Sequence, residues 1–386
     1  MKPRESLAYF QSQQSAMLEE LIGWVKMESP TTDKASVDRF GEEMVTILSD
    51  IGMAIRVSQQ TSTGNHVLGS WGSGENQILL IGHLDTVWEL GTLERFPVTI
   101  EGDVVRGPGI FDMKSGIEIA ISALRLLREQ NFHHSSISLL LTADEEEGSE
   151  ASREVIEREA SRSRCVLVLE PAGPEHSVKT KRRGVGRYRI VAHGRSAHAG
   201  IEPEKGVNAV EEIARQILDI QNFNRHGRGV SVNVGMMGGG TRTNVIPDRA
   251  WADIDVRCDT PEDMAWLQES FAALRAKNPQ TRLEVAGGVD RPPLVRSEKV
   301  LGLYEEFRQI GTEFDYPIKE FWTGGGSDGN FTAALGIPTL DGLGAEGAGA
   351  HALNEHILLS SLPIRANLLY HFLRRKIETV PHSQPA

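Results

Sequence analysis

Cysteine is nearly absent from this sequence: its 386 residues include only Cys165 and Cys258. That excludes a disulfide framework and any thiolate-based zinc site, so a bound metal would rest on nitrogen and oxygen donors. Also missing is an uninterrupted apolar run of the ~18–20 residues a membrane helix needs. Lys2, Arg4, Glu5 and the polar residues 11–14 break up the N-terminal segment before it can form the apolar core of a signal peptide, which points to the cytoplasm. Positive charge is in deficit, 41 Lys and Arg against 53 Asp and Glu, leaving −12. This balance argues against nucleic acid or an anionic membrane as partner. There is no fixed-period repeat and no low-complexity tract. What remains is globular: a 39% hydrophobic fraction is too high for a disordered chain. The length suits two domains of ~100–200 residues each.

Hydrophobic spacing divides the chain by texture. Met17, Leu18, Leu21, Ile22 and Val25 recur at helical spacing, as do Val37, Phe40, Met44, Leu48 and Ile51. Short apolar runs follow at 78–81, 137–141 and 166–169, the pattern of buried strands in an α/β sheet, with a helix over about 115–128. Between about 178 and 291 the pattern turns α+β. Strands are predicted at 188–191, 230–234 and 250–256, and helices at 207–218 and 264–275. Residues 287–293 read as a return linker. The outline is a discontinuous α/β domain, 1–178 and 294–386, with an α+β domain, 179–293, inserted into it.

Metal-capable residues stand at the end of each apolar run. His83 and Asp85 follow the first. In extended chain they face the same way, so His83 can ligate with Asp85 behind it. Asp112 is presented by the glycine-rich stretch Gly107-Pro108-Gly109-Ile110-Phe111-Asp112. The acidic run Asp144-Glu145-Glu146-Glu147 repels itself unless a cation or solvent compensates, and alternation in extended chain would aim Glu146 at a metal and Glu145 at substrate. Glu170 directly follows the third run, and His351 stands in a loop of small residues at 344–352. Singly, each has a plainer reading. His83 and His351 could be structural histidines, Asp112 a helix cap and 144–147 a solvated loop. Together, His83, Asp112, Glu146, Glu170 and His351 would line one edge of a sheet, where ligands gather. Two imidazoles and three carboxylates, one bridging, suit a pair of divalent ions ~3.5–4 Å apart. Zinc is first choice, with cobalt or manganese possible.

These segments in this order resemble the di-zinc metallopeptidase family of glutamate carboxypeptidases, acetylornithine and succinyl-diaminopimelate deacylases, aminoacylases and related dipeptidases. The stretches at 194–200, 244–247 and 324–328 carry the same likeness. Gly107-Pro108-Gly109 and Thr323-Gly324-Gly325-Gly326-Ser327-Asp328 resemble the bacterial carboxypeptidase G branch most. The resemblance implies a zinc aminopeptidase/carboxypeptidase-like catalytic domain, with a mixed sheet and helices on both faces. It also implies that the inserted domain is a lid through which the chain forms a homodimer. Carried over, His83, Asp112 and Glu170 hold one zinc, and Asp112, Glu146 and His351 the other. Glu145 is the implied general base, and Asp85 orients His83. His198 would reach into the partner subunit's active site, while Asn244, Arg257 and Gly325 would hold substrate. Ser115, where the family often has glycine, and Met113, where it often has a second aspartate, depart from the pattern. A cis peptide after Asp112 is also implied.

The expected function is hydrolysis of an amide bond by a metal-bridged water, with a C-terminal amino acid, glutamate favoured, released from a peptidyl or N-acyl substrate. An N-acyl amino acid deacylase, a dipeptidase and a non-catalytic peptide-binding relative are the alternatives. The net charge of −12 would repel an anionic substrate, so a local arginine such as Arg257 is required for an acidic one; its alternative is a strand-end salt bridge. The basic run 179–183 reads as a solvated boundary surface, or else an anion-binding hinge. The triple glycines at 238–240 and 324–326 invite a nucleotide site, but neither precedes Lys-Ser/Thr or completes a dinucleotide fingerprint. No Gly-x-Ser-x-Gly elbow of a serine hydrolase occurs.

Overall fold

The computed structural model describes residues 1–72 and 76–378. Two compact units emerge. The first comprises residues 1–181, 296–322 and the described chain from Ser327 onward; the second comprises Arg182–Val295 with Thr323–Gly326. That last glycine-rich stretch has no apolar periodicity, so its membership of the second unit is invisible to hydrophobic patterning.

In the first unit the apolar runs form a mixed six-stranded sheet. Gln77–His83 lies between Ile137–Thr142 and Ser163–Val168 and runs parallel to both. His66–Trp71 pairs antiparallel with Ile137–Thr142 and carries Ala54–Ser58 on its outer side. Thr339–Leu340 extends the other edge in parallel. Strand alternation sorts the side chains onto two faces. Ile78, Leu80, Leu139, Leu141 and Leu167 join the core with the helices Pro3–Lys26, Lys34–Asp50, Ser115–Glu129 and Ser361–Glu378. Leu79, Ile81, Leu140, Val166 and Val168 pack instead with Val155, Ile156 and Phe331 of Arg153–Ser161 and Gly329–Ala334. Helices therefore cover both faces. Because the central strands are parallel, their C-terminal ends share one edge, and the chain leaves that edge at His83, Thr142 and Val168.

The second unit has a four-stranded antiparallel sheet, ordered Ser231–Gly239, Arg249–Cys258, Gly184–His193, Arg282–Arg291. Tyr188, Ile190, Ala192, Ala252, Ile254 and Val256 face the helices Ala209–Gln221 and Pro261–Ala272, filling a separate core with Ile213, Leu267 and Phe271.

Two sequence readings need correction here. Residues 287–293 are not a linker: most belong to the strand Arg282–Arg291, whose Gly287 and Gly288 hide its periodicity. The run 179–183 is not a solvated surface. Ser177–Arg182 is a strand in which Lys179, Thr180 and Arg182 are buried. Its charges are absorbed locally. Lys179 Nζ lies 3.8 Å from Glu170 Oε2, and Arg182 donates to the carbonyls of Gly325 and Gly326. No helix among the described residues is long and apolar enough to cross a membrane.

Candidate metal centre

At the shared strand edge, five side chains of the first unit form two groups of metal-capable donors that share Asp112. His83 Nε2 lies 3.3 Å from Asp112 Oδ1 and 3.6 Å from Glu170 Oε1. His351 Nε2 lies 3.3 Å from Asp112 Oδ2 and 3.2 Å from Glu146 Oε2. Within each group the donor atoms all fall within 4.8 Å of one another. His83 Nε2, Asp112 Oδ1 and Glu146 Oε1 are buried without a hydrogen-bond partner among the described residues. Burying a polar atom unpaired is costly. Three such atoms turned into donor clusters are what a cation would satisfy, so the residues fit a pair of divalent ions.

Each donor arrives for a local reason. His83 ends a fully buried strand, and its Nδ1 lies 2.9 Å from the backbone carbonyl oxygen of Asp85. The Asp85 carboxylate stands farther off, 3.5 Å away, and does something the sequence did not suggest. It accepts hydrogen bonds from Thr31 Oγ1 (2.8 Å) and from the backbone N–H groups of Glu145 (3.3 Å) and Glu146 (3.2 Å). Asp85 thus holds the segment bearing two other site residues as well as facing His83.

Asp112 sits in the kinked turn Ile110–Lys114, and the bond to Met113 is cis. It caps no helix: the helix Ser115–Glu129 has no side-chain cap at its N-terminus. Met113 Sδ accepts from the His83 N–H at 3.3 Å, tying the first two ligand segments together. A Cβ on Gly116 would lie 1.9 Å from the Leu169 carbonyl oxygen. Only glycine lets this helix begin so close to the strand end that precedes Glu170.

The acidic run adopts a shape the alternation argument did not foresee. Glu145–Glu147 is a 3₁₀ turn, not extended chain. Consecutive side chains there diverge by roughly a third of a turn, so Glu145 and Glu146 still separate, for a different reason. Glu146 joins the second donor group, and Glu145 belongs to neither. His351 has φ 63°, left-handed backbone that side chains rarely adopt, just after Gly349 at φ 83°. Arg365, fully buried, donates to the carbonyls of Gly342 and Gly344 and anchors the segment leading to this loop.

Burial opposes charge on His83, yet contacts with Asp112, Asp85 and Glu170 outweigh it and hold the imidazole well above its ordinary pKa. His351 is pushed up to about 10, by Asp112 first and Glu146 next. Despite burial, Asp112 is held far below the usual carboxylate range by His351 and His83. Glu146 moves the other way, up to about 7, because burial outweighs its contact with His351 and the charge of Asp112 adds to it.

Sequence reasoning missed Glu355. Fully buried, it accepts the backbone N–H groups of Gly109 (2.9 Å), Phe111 (2.9 Å) and Asp112 (3.1 Å), and the Trp88 indole N–H (2.7 Å). One carboxylate therefore fixes the turn that presents the donor shared by both groups. The only signal was an acid close behind His351. In Glu355→Gln one oxygen acceptor becomes a donor facing N–H groups. Metal affinity is expected to fall about 10–100-fold, measured by titration of the metal-free chain. Thermal unfolding should show about 1–3 kcal/mol lost stability.

The remaining candidates lie in the second unit. His198 is exposed, and its Nδ1 accepts from the Gly200 N–H at 3.1 Å. The Ala199 N–H donates to the Asn244 carbonyl, which places the two loops side by side. Arg257 forks onto Asp255 through two contacts of 2.9 Å, and Nη1 reaches the Gly324 carbonyl at 3.4 Å. The salt-bridge reading is thus realised for Arg257, and its bidentate face is engaged within its own strand. Gly325 is exposed in the stretch Thr323–Gly326.

With the geometry established, three comparisons bear on it. The sequence profile of peptidase family M20/M25/M40 matches residues 79–375. Carboxypeptidase G2 of Pseudomonas sp. (strain RS-16) is 30% identical over 368 residues, covering 92% of this chain and 87% of that protein. Succinyl-diaminopimelate desuccinylase of Wolinella succinogenes is 27% identical over 305 residues, covering 75% of this chain and 81% of its own. Among solved structures, aminopeptidase PepT from Bacillus cereus ATCC 10987 matches with TM-score 0.76 at 22% identity, covering 93% of this chain and 98% of that one, a likeness of fold.

Proposed function

The chain belongs to peptidase family M20/M25/M40, and from that premise we propose that it is a metal-dependent exopeptidase releasing a C-terminal amino acid, glutamate favoured, from a peptidyl or N-acyl substrate. The observation that carries the metal chemistry is the pair of donor groups sharing Asp112, with orphaned buried atoms in both. The likeness to carboxypeptidase G2 supports release of a C-terminal residue, while the preference for glutamate rests on the resemblance read from the sequence.

In this reading His83, Asp112 and Glu170 hold one ion, and Asp112, Glu146 and His351 the other. Nitrogen and oxygen donors without sulfur favour zinc, with cobalt or manganese as substitutes. When bound, such a pair polarises the scissile carbonyl and lowers the pKa of water from ~15.7 toward ~7. The chain's own residues do the rest. Glu145, half-buried and outside both donor groups, takes a proton from the attacking water on its carboxylate and returns it to the leaving amine. Asp85 keeps Glu145 and Glu146 at their stations through the two backbone N–H groups. His198, Asn244, Arg257 and Gly325 are assigned to oxyanion and substrate contacts. An acidic substrate held by Arg257 must compete with Asp255 for the guanidinium. A homodimer formed through the second unit and a cytoplasmic location belong to the same proposal.

The test is a substrate panel offered to the chain after chelation and reloading with Zn²⁺, Co²⁺ or Mn²⁺. Cleavage of an N-acyl-glutamate in preference to N-acetylornithine and dipeptides is the expected result. Preference for N-acetylornithine or a dipeptide would move the assignment to the deacylase or dipeptidase reading. A fully loaded chain that cleaves none of them would remove the enzymatic reading.

A further inference from the structure

We infer that Asp328 is a positioning residue for the acidic turn, setting Glu145 and Glu146 in place by gripping the hydroxyls of Thr142 and Ser149 on either side of them. This rests on the roles proposed for the two glutamates. Asp328 itself belongs to neither donor group.

Four successive acids have every electrostatic reason to splay apart. The segment nevertheless closes on itself: the Ser149 N–H donates to the Asp144 carbonyl and the Gly148 N–H to the Glu145 carbonyl, both at 2.9 Å. Gly148 and Ser149 take left-handed backbone, at φ 109° and 61°. Buried carboxylates restrain it at separate points. Asp85 accepts the backbone N–H groups of Glu145 and Glu146. Asp144 accepts those of Ala151 (2.7 Å) and Ser152 (3.3 Å), where the helix Arg153–Ser161 begins.

Asp328 supplies a further restraint, from a distant part of the chain. Its Oδ2 accepts from Thr142 Oγ1 at 2.9 Å and its Oδ1 from Ser149 Oγ at 2.5 Å. The sequence separations are 186 and 179 residues. All three residues are buried, so water does not substitute for these bonds. Thr142 is the last residue of its strand and Ser149 follows the 3₁₀ turn. A single carboxylate therefore holds both the entry to and the exit from the segment that carries Glu145 and Glu146. These two contacts run through side-chain hydroxyls, so a substitution at Thr142 can remove one of them and leave the backbone N–H groups of Glu145 and Glu146 on Asp85.

The test is titration of the metal-free chain with Co²⁺, read by visible absorption, together with kcat and KM on the best substrate of the panel. Asp328→Ala should weaken the site containing Glu146 by about 10–100-fold, leave the site of His83 and Glu170 unchanged, and lower kcat with little change in KM. Thr142→Val, which keeps the shape but removes the hydroxyl, should do the same to a smaller extent. Thr142→Ser should restore wild-type values. If Asp328→Ala does not fold, the Val and Ser pair decides. Wild-type affinity at the Glu146 site in the folded variants would overturn the inference. So would equal weakening of both sites alongside lower thermal stability, because it would mean ordinary structural support. Two Co²⁺ bound by a wild-type chain that cleaves nothing would sink the substrate proposal, while the metal titrations would still decide the role of Asp328. A wild-type chain that takes up no Co²⁺ would sink both.

Discussion

Glu145→Gln is expected to lower kcat by about 10²–10⁴-fold while the chain retains its full metal content. The amide has nearly the shape of the carboxylate but cannot accept a proton and hand it on. Glu145 lies outside both donor groups, so its charge is not needed to hold a cation. Its backbone N–H to Asp85 survives the substitution, so the turn should keep its form. Steady-state kinetics with metal analysis on the same sample checks this. Near-normal turnover would remove Glu145 as the base, and loss of metal would make it a ligand instead.

Asp112→Asn should be more damaging, because this residue belongs to both donor groups. The amide offers one oxygen where the carboxylate offers two and turns N–H donors toward the imidazoles. Metal content should fall from about two ions per chain to below about one, with activity lost alongside. His351→Ala removes a ligand from only one group and should spare the other. Retention of both ions by Asp112→Asn would rule out a shared ligand. The sign of the pH dependence follows from the imidazoles. In the metal-free chain His83 is held well above its ordinary pKa and His351 near 10. Cations must displace those protons, so metal affinity should weaken as pH falls and loading should release protons. Calorimetry in buffers of different ionisation enthalpy measures that release.

Much of the site could be read before any coordinates, because ligand chemistry restricts residue type severely. His83, Asp112, Glu146, Glu170 and His351 are side chains a divalent ion accepts, each placed next to an apolar run or a glycine-rich stretch. The runs at 78–81, 137–141 and 166–169 were visible as strands because a sheet covered on both faces leaves no polar side to interrupt them. Where side chains are absent or periodicity is broken, the same reading failed. Gly287 and Gly288 made a strand look like a linker. The basic run 179–183 looked solvated because hydrophobic patterning does not reveal its partners: Glu170 precedes it beyond a turn, and the carbonyls of Gly325 and Gly326 that receive Arg182 lie 143 and 144 residues away.

Composition and local order alone pointed to the kind of chemistry: two cysteines, no long apolar run, and nitrogen and oxygen donors beside apolar runs. They could not say how those donors are held. Nothing in the one-dimensional chain showed Glu355 beneath the shared donor Asp112, Asp85 on the backbone of two glutamates, or Asp328 across the acidic turn. Each acquires its task from partners that folding brings from another segment. A hydrogen bond depends on distance and angle, and neither is encoded in the spacing of residues along the chain.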